Sequence, residues 1–376
     1  MTAKLGFRSV SDDQLDATGN NFTGARLVLA SAVIWTHCFW LVHKTSGRDE
    51  VSAIIGMPIS SLAVNVFFFV SGFLICQSLF HQKNVINFAA MRVARIWPAL
   101  TVCTLLTIAT FALVGGADAE YWTDPQTLRF AAKNLTMIQA EYDLPSIARG
   151  GDRQVVNGSL WTIPWELRCY ALMAVGFAVT VERRASMVRP VLIMSIGAAV
   201  VWAVVQEYWA GFPDTSGGVM YNVDVAMRLW GCCATGALAW LERHRIVPPV
   251  WLTVGVLMLA VAEHQMLGSS LLSSPAFFLV VVLAVFGGGR LRAVSAEWPD
   301  FSYGVYIYAF PVMVLLAAVW PQLTTDHRLL AAANLAAVLP LAALSWFVVE
   351  KPALDGARRL LRRRTMPPHA AISPAE

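Results

Sequence analysis

Residues 60–80 read SSLAVNVFFFVSGFLICQSLF, twenty-one positions without one charged side chain and with three consecutive phenylalanines at 67–69. About 20 predominantly apolar residues are enough for a helix to cross the hydrocarbon core of a bilayer, whereas a surface helix of a soluble protein needs a polar face. Nine further runs of this kind lie at 25–44, 96–115, 161–182, 187–206, 223–242, 247–264, 273–289, 301–320 and 329–350. Composition agrees with them. The chain has 376 residues, 57% hydrophobic and 14% charged, with a mean hydropathy of +0.58, against about 25% charged in an average soluble domain. A cytosolic enzyme, a secreted disulfide scaffold and a disordered chain are excluded. The apolar runs are continuous rather than alternating, which argues against a transmembrane β-barrel. The expected fold is all-α, a polytopic membrane protein with about ten transmembrane helices.

An even number of spans puts both termini on one side, and the distribution of basic residues decides which. About 19 of the 28 lysines and arginines, from Lys4 to Arg364, fall on the side of the amino terminus and about 7 on the other. Both termini are therefore expected in the cytoplasm. The first 24 residues are polar and lack the order of a cleaved signal, so the first span is expected to stay as an anchor. This gives a cytoplasmic segment over 1–24, a transmembrane domain over 25–352 with one sizeable outer loop at 116–160, and a basic cytoplasmic tail over 353–376. The net charge of +4 is spent on topology, and no nucleic-acid partner is expected. Cys38, Cys76, Cys103, Cys169, Cys232 and Cys233 all fall in spans, where they read as small hydrophobes. Neither a disulfide nor a metal site is expected. The chain has no P-loop, dinucleotide fingerprint or obvious repeat, which weighs against a pump and an inverted-repeat transporter.

Ionisable groups inside a span are costly, so each is a candidate site residue or half of a pair. Arg26 and His37 are eleven residues apart. On a helix that spacing returns to the same face within about 20°, with about 16 Å between the two along the axis. One stripe of the first span therefore carries a cation at the cytosolic mouth and an imidazole near mid-membrane. Ser71 and Gly72 in the second span are expected near the depth of His37 and equally suit close helix packing. Arg92 and Arg95, on one helix face just ahead of Pro98, offer two forked donors suited to a phosphate, with Pro98 expected in a first helical turn. Glu166, with Tyr170 one turn on, is expected about 7 Å below the outer surface. Asp224 and Arg228, four apart, are expected to neutralise each other. In the outer loop, Asp118, Glu120, Asp124, Glu141, Asp143 and Asp152 with Tyr121, Trp122 and Tyr142 suit contact with sugars. A solvated loop with a short helix after Pro125 accounts for them as well.

These residues fall in a joint order and spacing that resembles the acyltransferase-3 family of integral membrane acyltransferases. The resemblance is carried by Arg26 with His37, the run Phe67-Phe68-Phe69-Val70-Ser71-Gly72-Phe73-Leu74-Ile75, and Arg92-Val93-Ala94-Arg95-Ile96-Trp97-Pro98. Ser159-Leu160-Trp161-Thr162 leading to Glu166 and Tyr170, Ser302-Tyr303-Gly304-Val305-Tyr306 and Val349-Glu350-Lys351-Pro352 complete it. It implies a membrane O-acyltransferase in the bacterial inner membrane that takes an acetyl group from cytoplasmic acetyl-CoA. The acceptor it implies is a hydroxyl of a cell-envelope or exported polysaccharide or of a lipid-linked sugar. By the same resemblance His37 acts as general base or transient acyl acceptor, and Arg26, Arg92 and Arg95 meet the CoA phosphates. Ser71 is placed to stabilise an oxyanion, and Glu166 to orient the imidazole or the acceptor. Members often carry a histidine after the Ser-Tyr-Gly motif, where this chain has Tyr308-Ala309-Phe310-Pro311. Some also carry an esterase-like carboxy-terminal domain, and this chain is expected to be the standalone form. Two other readings stand beside this one: a transporter of a sugar or acyl donor, and an acyltransferase with a non-sugar acceptor.

Overall fold

The computed structural model describes residues 6–15, 20–45, 48–82, 84–115, 117–145, 153–184, 187–209, 211, 213, 217–287, 295 and 298–365. Lys4, Lys83, Arg149, Asp152, Arg290, Arg292 and the end of the basic tail lie outside them. Each of the ten apolar runs corresponds to a helix. These are α1 (Phe22–His43), α2 (Ile59–Gln82) and α3 (Val85–Gly115), then, after the extramembrane helix α4 (Pro125–Thr136), α5 (Ile163–Arg184), α6 (Val188–Tyr208) and α7 (Gly218–Leu241). The last four are α8 (Val250–Leu267), α9 (Ser273–Phe286), α10 (Ser302–Val319) and α11 (His327–Ser345), with α12 (Lys351–Thr365) closing the chain. Among the described residues, seven segments are long and apolar enough to cross a membrane: α1, α2, α3, α6, α8, α10 and the stretch from His327 to Arg362. α9 has only 14 residues, and α5 and α7 carry Glu166, Arg168, Asp224 and Arg228. The protein is thus an α-helical multi-pass membrane protein. Among the described residues the one sheet is a two-stranded antiparallel hairpin, β1 (Asp143–Pro145) with β2 (Arg153–Val155), in which Leu144 faces Gln154.

The helices alternate between a basic end, where α1 begins, and a hairpin end. Arg8 bridges Val247 in antiparallel fashion, joining the amino-terminal segment to the α7–α8 connection. At the other end His43 meets His327 at 3.1 Å, so α11 starts where α1 stops.

α2 is central. A Cβ added to Gly72 would collide with the carbonyl of Cys233, and one added to Gly236 with the carbonyl of Phe69, so α2 and α7 cross with their backbones in contact. This is the close packing for which Ser71-Gly72 is suited.

Three expectations are corrected. α3 begins at Val85, not at 96, so Pro98 lies inside it. Proline is tolerated there because neighbouring helices re-satisfy the freed backbone groups. Asp224 and Arg228 do not pair: Asp224 accepts from the Trp202 indole at 3.2 Å, and Arg228 donates to Asn65 at 3.1 Å. Acidic groups of the outer loop are engaged within the protein. Asp118 and Asp124 cap helices, and Glu141 binds Lys133 at 2.8 Å. Burial would raise the Glu141 pKa, but hydrogen bonds from Lys133 and Gln126 hold it below the usual range.

Candidate active site

α10 and the segment ahead of α5 position the site. Pro311 has no N–H, so the carbonyl of Ile307, four residues earlier, loses its helical partner. Asn157 donates its side-chain amide to that carbonyl at 2.9 Å, and the Cys103 thiol approaches it at 3.3 Å. The chain from Asn157 through the 3-10 turn Gly158–Thr162 therefore dips into the bundle. Asn157, Ser159, Leu160 and Thr162 are buried there, as non-helical backbone at membrane depth must be. A Cβ on Gly158 would lie 2.8 Å from the Phe310 ring, so this approach needs a glycine.

Because α5 starts this deep, Glu166 faces the basic end. Its carboxylate accepts from the Tyr170 hydroxyl one turn on. Both line a cleft of about 80 Å³ with Arg26, Ser71, Arg92 and Arg95. The structure thus gathers five of the six expected site residues.

The sixth is elsewhere. His37 lines a separate cavity of about 360 Å³ at the hairpin end, and the two linings have no residue in common. Glu166 and Ser71 are consequently not beside the imidazole, which corrects the roles expected for them. The His37 ring packs edge-on to Phe310 at 5.0 Å, and its Nδ1 is buried with no hydrogen-bond partner. Between the cavities stand Phe67, in contact with the Tyr306 ring at 6.0 Å, Thr162, bonded to the Tyr306 hydroxyl at 2.8 Å, and Phe310.

The three arginines differ in what they have free. Arg26 pairs with Asp300 at 2.5 Å, and Arg95 pairs with Asp300 at 2.6 Å and Glu350 at 2.9 Å. Burial would raise the Asp300 pKa, but Arg26, Arg95 and Ser302 hold it at about 2. Arg92 forms no ion pair among the described residues. It lies over the rings of Phe88 at 5.2 Å and Tyr170 at 5.4 Å, and its Nε is buried without a partner.

Sequence reasoning passed over Asp300 and Glu350. Glu350 is fully buried at the end of a π-helical turn, Trp346–Glu350, between α11 and α12. Such one-turn insertions redirect side chains and recur at functional sites. Both acids flank motifs quoted above, Asp300 two residues before Ser302 and Glu350 within Val349-Glu350-Lys351-Pro352, and that proximity was the available signal.

A family model described as an acyltransferase domain, Acyl_transf_3, matches residues 20–350. The chain is 30% identical to an O-acetyl transferase of Shigella phage Sf6, over 88% of this chain and 95% of the relative. It is 24% identical to nodulation protein 10 of Rhizobium leguminosarum bv. viciae, over 94% and 98%. No solved structure matches.

Proposed function

The chain belongs to the Acyl_transf_3 family of acyltransferases and is an O-acetyltransferase, and from that premise we propose that it carries an acetyl group between the two ends of its own helix bundle. The donor is acetyl-CoA, bound from the cytoplasm at the basic end. The acceptor is a hydroxyl of an envelope or exported glycan or lipid-linked sugar, presented at the hairpin end. The membrane is the bacterial inner membrane, with both termini cytoplasmic and ten crossings. The observation that carries this reading is the pair of cavities on opposite ends, one holding an uncommitted guanidinium and the other an unpartnered imidazole.

Arg92 is the cation free to take a CoA phosphate. Arg26 and Arg95 shape the same cleft while held by Asp300 and Glu350. The cleft deepens past Ser71 toward Thr162 and Tyr306, the course a pantetheine arm follows toward the partition. Arg26 and His37, about 16 Å apart along one helix, set the length that arm spans. His37 removes the proton of the acceptor hydroxyl as its oxygen attacks the thioester carbonyl. The carbon–sulfur bond then breaks, and the thiolate leaves toward the basic end and is protonated. Glu166 and Tyr170 order the donor cleft.

Purified protein in proteoliposomes with radiolabelled acetyl-CoA tests the reading. His37→Ala should abolish label transfer to the glycan while donor binding persists. Transfer by a well-folded His37→Ala protein at the wild-type rate overturns it.

A further inference from the structure

Resting on the reading of His37 above, we propose that the cavity beside it is a recognition subsite for an uncharged glycosyl ring of the acceptor, stacked on Trp40 and hydrogen-bonded by Ser60 and Ser61. The described lining consists of Thr36, His37, Trp40, Pro58, Ser60, Ser61, Val155, Gly158 and Phe310. Its volume of about 360 Å³ lies at the lower end of the ~300–1,000 Å³ of small-molecule sites.

His37 and Trp40 are three apart on α1 and so share a face. Trp40 and Phe310, with ring centroids 6.4 Å apart, give the cavity an aromatic wall. Sugar rings present C–H faces that lie against such walls, with hydroxyls around their edges. The Trp40 indole N–H and the hydroxyls of Ser60 and Ser61 make no hydrogen bond to another described residue, so three polar groups remain for those edges.

The wall is braced. The Asp49 carboxylate, itself buried, accepts from the Thr36 hydroxyl at 2.5 Å and the Ile59 N–H at 2.9 Å, and Thr36 accepts from the Ser60 N–H at 3.1 Å. The neighbour of His37 is thereby tied to the first turn of α2. The indole, the imidazole and the two serines are held at fixed separation.

Charge selects the class of ring. Among the described residues no Lys, Arg, Asp or Glu lines this cavity. A carboxylate or phosphate on the ring would meet no counter-charge among the described residues of the lining. A neutral hexose or deoxyhexose meets no such penalty.

The full-length protein in nanodiscs, without donor, is titrated with methyl glycosides of glucose, galactose, mannose and rhamnose, and with methyl glucuronide and methyl galacturonide. At least one neutral glycoside should bind at least tenfold more tightly than either uronide. Trp40→Ala should weaken that binding about tenfold, Trp40→Phe less, and Ser60→Ala with Ser61→Ala severalfold. The proposal is overturned if no neutral glycoside binds, if a uronide binds as tightly, or if the folded Trp40→Phe and double-serine variants both match wild type. Binding needs no chemistry. Retained neutral-glycoside binding with undiminished transfer by His37→Ala would sink the catalytic reading and leave this one standing, and the converse pattern would do the opposite.

Discussion

The side-chain amide of Asn157 occupies, at 2.9 Å, the carbonyl of Ile307 that Pro311 leaves without a helical partner. One proline in α10 and one asparagine about 150 positions earlier in the chain form a single device. It pulls a stretch of outer loop into the bundle, and that stretch determines which cavity α5 serves.

Replacing Asn157 by Ala should leave the Ile307 carbonyl with only a thiol, at a cost of about 1–3 kcal/mol. Thermal unfolding in detergent reads this as a lower Tm. Pro311→Ala restores an N–H to the helix and should recover part of the loss in the double variant. Additive losses would show that the two residues do not share this carbonyl.

Arg92 and Arg95 should separate in their effects. Arg92→Ala removes an uncommitted guanidinium and should weaken acetyl-CoA binding about tenfold or more, with little change in Tm. Arg95→Ala strands the wholly buried Glu350 and leaves Asp300 with Arg26 alone, and should cost about 3 kcal/mol of stability. Binding titration and unfolding of both variants check this, and equal behaviour of the two contradicts the division.

The Asp300 carboxylate, held at about 2 against an unfolded value near 3.9, contributes stability that is fully present above the unfolded value. That contribution is lost as pH falls through the folded one. The Tm deficit of Asp300→Asn should therefore be constant from pH 8 to pH 5 and narrow only below about pH 4. A deficit that already shrinks between pH 7 and pH 5 would place the carboxylate's titration elsewhere.

Gly72→Ala and Gly236→Ala each drive a methyl into a facing backbone carbonyl and should cost about 3 kcal/mol or more. Gly176→Ala and Gly197→Ala, where a Cβ meets nothing within 4 Å, should be near neutral or slightly stabilising. Yields of monodisperse protein and Tm values order the four variants.

Much of the fold was legible because apolar runs of span length leave few alternatives, and the Arg26–His37 stripe followed from helical spacing alone. Depth was not legible for α5. Counting inward from Trp161 assumes that the helix starts at the surface, whereas a hydrogen bond from Asn157 to a carbonyl 150 residues away carries its start into the bundle, and Glu166 lines the cleft of Arg92 instead of the cavity of His37. The start of α3 was hidden because its first eleven residues are amphipathic rather than apolar. Asp300 and Glu350 were hidden for a different reason: nothing local tells that the start of α10 and the end of α11 converge on Arg95.

The backbone contact of α2 with α7 at Gly72 and Gly236 also bears on how the protein is made. α2 leaves the ribosome about 160 residues before α7. At ~5–20 residues per second, that interval lasts roughly 10–30 s. For that time α2 lies in the bilayer with Asn65 lacking Arg228, its partner from α7, and with the groove around Gly72 unfilled. The helix pair at the centre of the bundle is thus made early and closed late.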